Sequence, residues 1–154
     1  MIYKIHRVSK PSVPIKAYID IASFKIYKVD IGLLGTLSEL DVESVINGND
    51  IFVEFKGAFT EQFVMQELIS QTSYKPYNYS TETASYEVDF LIQKEGNIVP
   101  IEVKSEDNLK AKSLKFYCDK YNPVFAIRTS MSGYREEAWM RNIPLWAISR
   151  ISEI

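Results

Sequence analysis

Apolar and polar side chains alternate along several short stretches of this chain and recur at helical spacing along others. A period of two residues is typical of a β-strand, because successive side chains point to opposite faces of a sheet. A period near 3.6 residues is typical of a helix that buries one face. The alternating pattern predicts strands at residues 2–8, 23–30, 77–80, 87–92, 98–104 and 124–127.

The helical pattern is clearest at residues 59–71, where good helix formers are apolar nearly all round. A helix of that kind is buried on most sides, so we expect it to pack between the sheet and the amino-terminal segment. Residues 113–121 form a second predicted helix, with Leu114, Tyr117, Cys118 and Tyr121 along one face. The pattern also predicts a short helix at 37–46, a helical stretch at 135–141 and a last edge strand at 144–148.

The order of these elements predicts an α/β fold with a mixed central sheet flanked by helices. Glu95, Gly96 and Asn97 read as a hairpin turn between residues 87–92 and 98–104, which makes that pair antiparallel. A crossover helix followed by the buried strand 124–127 implies parallel pairing. The apolar faces predict a core that contains Phe63, Leu68, Phe90, Ile101, Val103, Phe125 and Ile127.

Length and composition restrict the classes of protein that fit. A chain of 154 residues with 46% apolar and 25% charged residues is typical of one globular domain. We expect residues 1–56 to be an accessory segment and residues 57–154 to be the main domain. The single cysteine and the lack of an apolar leader favour the cytoplasm. No apolar run approaches the roughly 20 residues that cross a bilayer as a helix, so no membrane association is expected.

Three charged residues at the ends of two neighbouring strands carry the candidate chemistry. If the hairpin register aligns them, Asp89 and Glu102 lie close enough to hold a hard divalent cation such as Mg²⁺. Lys104 shares a face with Glu102, where an ammonium can stabilise a phosphate oxygen or orient an attacking water. The set suits phosphodiester hydrolysis, but strand-end charges that simply face water give the same pattern.

Nucleic-acid binding would depend on a local basic patch, because the formal net charge is only -2. A group of cations near residues 110–128 can form such a patch or a solvated helix face. The group consists of Lys110, Lys112, Lys115, Lys120 and Arg128. Glu87 shares the predicted face of Asp89 and is an additional candidate ligand or neighbouring charge.

Three stretches resemble the core of the PD-(D/E)XK nuclease superfamily, which includes restriction endonucleases and Holliday-junction resolvases. They read GAFTEQFVMQEL at 57–68, YEVDFLI at 86–92 and IEVK at 101–104. Together with FKIYKVDIGLLGTL at 24–37 and SLKFYCDKYNPVFAIRTS at 113–130, they resemble the carboxy-terminal domain of unknown function of bacterial and archaeal AAA-type ATPases. This second resemblance covers nearly the whole chain.

The resemblance implies a restriction-endonuclease-like core with the order helix, three strands, helix, strand. It assigns Asp89 and Glu102 to a metal site for Mg²⁺ or Mn²⁺, and Lys104 to phosphate binding or water activation. It also requires a carboxylate on the first helix, for which Glu61 is favoured and Glu67 is the competing candidate. The implied substrate is DNA.

The resemblance further implies an ATPase module upstream, so that Met1 would begin an isolated piece of a longer protein. The chain itself has no phosphate-binding loop of the G-x-x-x-x-G-K-[ST] type. Residues 1–56 would then combine the tail of a winged-helix-like region with a short helix. Val88 stands where the superfamily pattern has proline, and the helix at 113–121 lacks the glutamine of resolvases. These departures leave a second function open, a catalytically inactive module for regulation or for interaction with a partner or nucleic acid.

Overall fold

The computed structural model describes residues 2–38, 50–83, 85–105 and 111–154, with the side chains of these residues except those of 50–54. The strands are β1 (Ile2–Val8), β2 (Ile19–Lys28), β3 (Tyr77–Ser80), β4 (Glu87–Lys94), β5 (Asn97–Val103), β6 (Ala126–Ser130), β7 (Arg135–Glu136) and β8 (Met140–Pro144). The helices in the described residues are α1 (Ile31–Leu37), α2 (Asp50–Gln71) and α3 (Lys112–Tyr121), with 3₁₀ helices at Ile15–Tyr18 and Leu145–Glu153.

Within the described residues, eight strands form one mixed sheet in the order β2-β1-β3-β4-β5-β6-β8-β7. β3, β4 and β5 pair antiparallel, and β6 then pairs parallel with β5 after the α3 crossover. The predicted mixed sheet flanked by helices is therefore confirmed, as is the order helix, three strands, helix, strand, represented by α2, β3, β4, β5, α3 and β6. The amino-terminal strands β1 and β2 extend the same sheet through the parallel contact between β1 and β3.

The predicted hairpin between β4 and β5 forms around a two-residue turn. Lys94 pairs with Asn97, and the two residues between them, Glu95 and Gly96, have φ angles of 49° and 78°. Positive φ at both central positions is the signature of a type I′ turn, whose twist matches that of the flanking strands. The turn fixes the register of β4 against β5 and therefore the positions of the charged residues at the other end of the pair.

The core consists of two apolar clusters, one on each face of the sheet. The first includes Leu68 of α2, Phe90, Ile101, Ile127 and residues of the carboxy-terminal 3₁₀ helix. The second lies beneath α3 and includes Val88, Leu91, Leu114, Tyr117 and Cys118. Of the predicted core residues, four are fully buried, while Phe63, Val103 and Phe125 are partly buried and pack against the first cluster.

The carboxy-terminal predictions are wrong in type. The predicted helical stretch at 135–141 instead contains β7 and the start of β8, because Arg135 and Glu136 pair antiparallel with Asn142 and Arg141. The parallel pairing of β8 with β6 also buries Met140, and this tertiary contact overrides local helix propensity.

The predicted strand at 144–148 lies mostly within the 3₁₀ helix Leu145–Glu153. Its buried residues are Leu145, Ile148 and Ile151. The spacing of three residues suits a helix with three residues per turn and not the two-residue period of a strand.

β2 and α2 begin earlier than predicted. β2 starts at Ile19 and α2 at Asp50, although α2 ends at Gln71 as expected. Most of the short helix predicted at 37–46 falls on residues 39–49, which lie outside the described residues. The helix α1 at Ile31–Leu37 was not predicted. α1 begins there because Asp30 caps it, accepting a hydrogen bond from the backbone N–H of Leu33 at 3.1 Å.

None of the helices in the described residues is both long and apolar enough to cross a bilayer.

Candidate functional site

A β-bulge in β4 positions Asp89. Tyr77 of β3 pairs with Leu91 and Tyr79 pairs with Val88, so two steps along β3 match three steps along β4. The predicted strict alternation of β4 is therefore wrong at this point, because Val88 and Leu91 both belong to the cluster beneath α3. Bulges of this kind re-aim side chains, and Asp89 no longer shares the face of Leu91.

Asp89 lies where the pairing of β4 with β5 ends. The register runs from the turn to Phe90 opposite Ile101, and the next position would place Asp89 opposite Glu102. There the side chain replaces a backbone partner, since Oδ2 of Asp89 accepts a hydrogen bond from the Val103 N–H at 2.8 Å. Asp89 is thereby fixed beside the backbone between Glu102 and Lys104.

Glu102 and Lys104 form a second pair, directed toward α3. Oε2 of Glu102 accepts a hydrogen bond at 3.0 Å from the backbone N–H of Leu114, in the first turn of α3. Its other oxygen, Oε1, lies 2.5 Å from the Lys104 ammonium. The Glu102 side chain is 5% exposed and that of Lys104 33%, so the ammonium is the accessible end of this pair.

The Asp89 side of the site is organised around Lys25, on β2. Nζ of Lys25 lies 2.7 Å from Oε1 of Glu61 on α2 and 3.9 Å from Oδ1 of Asp89. The same ammonium forms an ion pair with Glu87 at the start of β4. We call these four residues the Lys25 cluster. Three carboxylates from a helix and a strand thus surround one ammonium from a different strand.

Tyr27 and Gln62 hold α2 against β2 in this arrangement. Lys25 and Tyr27 share a face of β2, and the Tyr27 hydroxyl donates a hydrogen bond to the same Glu61 oxygen that Lys25 contacts. Gln62 follows Glu61 on α2 and is buried. Its side chain accepts a hydrogen bond from the Lys28 N–H at 2.9 Å and donates one to the Lys28 carbonyl at 2.7 Å. These bonds fix the position of α2 along β2 and therefore hold Glu61 beside Lys25.

Burial and the neighbouring charges raise the pKa values of both Asp89 and Lys25. Burial, together with the nearby Glu61 carboxylate, raises the pKa of Asp89 to about 7, against the opposing effects of the Val103 N–H and Lys25. Burial lowers the pKa of Lys25, but Glu61, Glu87 and Asp89 outweigh it, and the net shift is upward. Lys25 therefore stays charged at neutral pH, whereas the Asp89 carboxyl titrates near neutral pH.

A cavity of about 320 Å³ opens beside the cluster. Its lining includes Lys25, Tyr27, Glu61, Gln62 and Leu34. The Lys25 and Glu61 side chains are 29% and 24% exposed, so both reach this space from partly buried positions.

The structure brings the predicted site residues together as two adjacent pairs. Glu61 lies near Asp89 through Lys25, while Glu102 lies with Lys104, and the Val103 backbone connects the two pairs. Glu61 is thus the helix carboxylate on this side. Asp89 and Glu102 have different side-chain partners and are not joined by one.

Arg128 does not belong to the basic patch considered from the sequence. Arg128 is buried, with 1% of its surface exposed, and its Nε donates to Oδ1 of Asn142 at 2.9 Å. It pairs in register with Glu102 within the sheet and is not part of a rim. Lys115 forms an ion pair with Asp119, and Lys110 lies outside the described residues.

Sequence reasoning missed Lys25 and Tyr27. The alternation of β2 places both on one face, and that signal was present in the pattern. Nothing in the sequence ties this face to Glu61, because the contact joins residues 36 positions apart.

The donor set has the chemistry for a hard divalent cation, since it consists of carboxylate oxygens around a positive charge. In the structure the positive charge among these carboxylates is the Lys25 ammonium. The present spacing is not that of metal ligands. Among the side chains that the structure describes, no three from His, Cys, Asp and Glu lie close enough together to hold a metal ion.

Comparison with curated proteins finds no match, and comparison with solved structures finds none either. A family model described as a domain of unknown function, DUF4143, matches residues 56–148. The matched region contains Glu61, Asp89, Glu102 and Lys104, and Lys25 precedes it. Since the match covers more than half of the chain, this protein belongs to the DUF4143 family.

Proposed function

We propose that this chain is a nuclease-like domain that hydrolyses phosphodiester bonds in DNA with Mg²⁺ or Mn²⁺. In this proposal it is the carboxy-terminal domain of a cytoplasmic AAA-type ATPase and has a PD-(D/E)XK core. The observation that carries the proposal is the hydrogen bond from the Val103 N–H to Asp89, which fixes Asp89 beside Glu102 and Lys104. The order of α2, β3, β4, β5, α3 and β6 supports it as well.

In the proposed reaction, a water oxygen bonds to phosphorus and the bond from phosphorus to the leaving sugar oxygen breaks. Asp89 and Glu102 would hold the divalent cation, which would supply a Lewis acid and a more acidic water. The Lys104 ammonium donates hydrogen bonds to a phosphate oxygen, where negative charge builds up. Glu61 is the nearby carboxylate that accepts the proton of the attacking water, and the leaving oxygen takes up a proton from solvent.

Cleavage of plasmid and of labelled oligonucleotide DNA in MgCl₂ or MnCl₂ tests the proposal. The wild-type protein is expected to nick or cut, while Asp89→Asn and Lys104→Ala are expected to lose that activity and remain folded. Glu67→Gln is the matched control, since Glu67 is a carboxylate on α2 outside the Lys25 cluster. Cleavage that persists in both site variants would contradict the proposal.

A second function, an interaction module without catalysis, is favoured by one observation. The Lys25 ammonium lies among Glu61, Glu87 and Asp89, and Glu102 is bonded to α3 and Lys104. The carboxylates thus already have internal partners. If calorimetry detects no metal binding and DNA is not cut, this function replaces the first, and partner binding is expected to map to residues 2–38.

A further inference from the structure

β2 is an edge strand of ten residues, and its outer side has no strand partner among the residues that the structure describes. It stands first in the sheet order and pairs with β1 on its inner side. An open edge presents backbone N–H and C=O groups that can pair with another chain. Three of its apolar side chains are also exposed, Ile21 at 78%, Phe24 at 38% and Ile26 at 55%. A long apolar edge of this kind is an interaction surface.

The Gln62 side chain shows which backbone groups of β2 point outward. The Lys28 N–H donates to Oε1 of Gln62 at 2.9 Å, and the Lys28 carbonyl accepts from Nε2 at 2.7 Å. Both groups therefore point away from Ile2, the partner of Lys28 on β1. Alternate residues of an antiparallel strand present their backbone groups to the same side, so those of Ile26 point outward as well. The amide of Gln62 thus takes the place that a residue of an added strand would take beside Lys28.

The cavity of about 320 Å³ lies along this edge. Its lining includes residues 25–28, which are consecutive on β2. Consecutive strand side chains point to opposite faces, so a space bordered by all four lies beside the strand and not above one face. The lining also includes Leu34 of α1 and Ala58 of α2. We call this space, between the edge of β2 and the two helices, the β2 slot.

We propose that the β2 slot binds an extended peptide segment of a partner protein, which adds a strand to the sheet and alternates acidic with small apolar side chains. Strand addition takes its affinity from main-chain hydrogen bonds and its specificity from alternate side chains. The inference is independent of DNA cleavage, because Asp89, Glu102 and Lys104 do not line the slot.

The charges on one face of β2 favour acidic side chains in the peptide. Lys4 lies opposite Ile26 in register, and Lys28 lies two residues beyond Ile26, so the three side chains share this face. Among the described residues, neither lysine forms an ion pair with a carboxylate. Acidic side chains on the added strand would complement both charges.

The opposite face of the slot favours small apolar side chains. Lys25 and Glu61 line it, but their 2.7 Å ion pair already joins them. Leu34 and Ala58 add apolar surface beside this pair. A peptide in which glutamate and valine alternate therefore matches both faces.

Fluorescence anisotropy with three labelled synthetic peptides tests the inference on the full chain. The first alternates glutamate and valine, the second alternates lysine and valine, and the third is the first with proline at its centre. The first is expected to bind at least about ten-fold more tightly than the others, because lysine side chains meet Lys4 and Lys28 and proline lacks a backbone donor. Failure of the first peptide to bind, or equal binding of all three, would overturn the inference.

Two variants assign the binding to the slot. Ile26→Pro removes the outward N–H, which edge strands tolerate because the pairing with β1 does not use it. Ala58→Trp fills the slot from α2, where Ala58 is exposed, and leaves β2 unchanged. Each is expected to weaken binding at least about ten-fold, while Ile26→Val and Ala58→Ser bind like wild type. Ala58→Trp carries the test if Ile26→Pro does not fold, and wild-type affinity in a folded blocking variant would refute the proposed slot.

Hydrogen exchange measured by NMR gives a readout at the edge itself. In the free protein, the Ile26 amide is expected to exchange faster than that of Lys28, which is bonded to Gln62. The peptide of glutamate and valine is expected to slow the exchange of Ile26. An Ile26 amide that is already protected in the free protein, or stays unprotected in the complex, would count against strand addition.

A second copy of this chain is the competing occupant, and sedimentation separates it from a partner peptide. The wild type is expected to remain a monomer at the concentrations used for anisotropy. A dimer that Ile26→Pro abolishes would assign the edge to self-association and overturn the proposed peptide partner.

Discussion

The Asp89 carboxylate accepts a hydrogen bond at 2.8 Å from the Val103 N–H, at the point where the pairing of β4 and β5 ends. One side chain therefore has two tasks. It completes the backbone hydrogen bonding of β5, and it brings a charge beside Glu102 and Lys104. Substitutions at Asp89 should separate these tasks, because some replacements keep the acceptor and lose only the charge.

Asp89→Ala is expected to be less stable than Asp89→Asn by about 1–2 kcal/mol. Alanine leaves the partly buried Val103 N–H without its acceptor, whereas the asparagine carbonyl oxygen can still accept the bond. Urea unfolding of both variants at one pH gives the free energies of unfolding. Equal stabilities would show that the bond contributes nothing measurable.

The stability of the metal-free protein is expected to depend on pH through Asp89. Its pKa is raised to about 7 in the folded chain from an ordinary value of 3.8, so the folded state holds a proton that the unfolded chain releases. The stabilising contribution is complete below about pH 4 and is lost as the pH rises through 7. The free energy of unfolding should fall across this range, and the fall should be smaller in Asp89→Asn. A fall of the same size in Asp89→Asn would assign the dependence to other groups.

Gly96→Ala is expected to destabilise the protein by about 1 kcal/mol, because Gly96 has a φ of 78°, which L side chains adopt at a cost. A Cβ there meets no atom within 4 Å, so the loss comes from the backbone and not from a clash. Gly133→Ala is the matched control, since Gly133 is equally free of close neighbours and has no positive φ of this kind. Thermal unfolding of the two variants measures the difference. Equal effects would contradict the assignment of a type I′ turn.

Cys118 is expected to react slowly with iodoacetamide at neutral pH in the folded protein. The side chain packs in the cluster beneath α3, and burial raises the pKa of the thiol to about 11, so little thiolate is present. Mass spectrometry follows the modification over time, with the urea-unfolded chain as the fast reference. Rapid labelling of the folded protein would mean that α3 opens readily.

Local signals predicted the centre of the fold well. The Glu95 and Gly96 turn fixes the hairpin, and the apolar face of α3 is visible from Leu114 and Tyr117 alone. The carboxy-terminal segment was misjudged because the pairing of Arg135 with Asn142, and of β8 with β6, is decided by neighbours that propensity does not contain.

The candidate site divides in the same way. The charges at strand ends identify Asp89, Glu102 and Lys104 as candidates. The face of the sheet on which Asp89 lies could not be predicted, because one extra residue in β4 changes the alternation between Val88 and Phe90. Lys25 could not be identified as a site residue from the sequence, because its ion pair with Glu61 forms only when β2 and α2 pack together in the folded chain.

The position of β2 at the edge of the sheet also governs when the site can exist during folding. The β4–β5 hairpin closes over two residues, whereas the contact between Arg7 and Asn78 joins β1 to β3 across a far longer loop. Closing a long loop costs more chain entropy and slows folding. The hairpin that carries Glu87 and Asp89 can therefore form early, with these two carboxylates not yet paired with Lys25. Lys25 reaches them only when β1 and β2 have docked, so neutralisation of the site coincides with completion of the sheet.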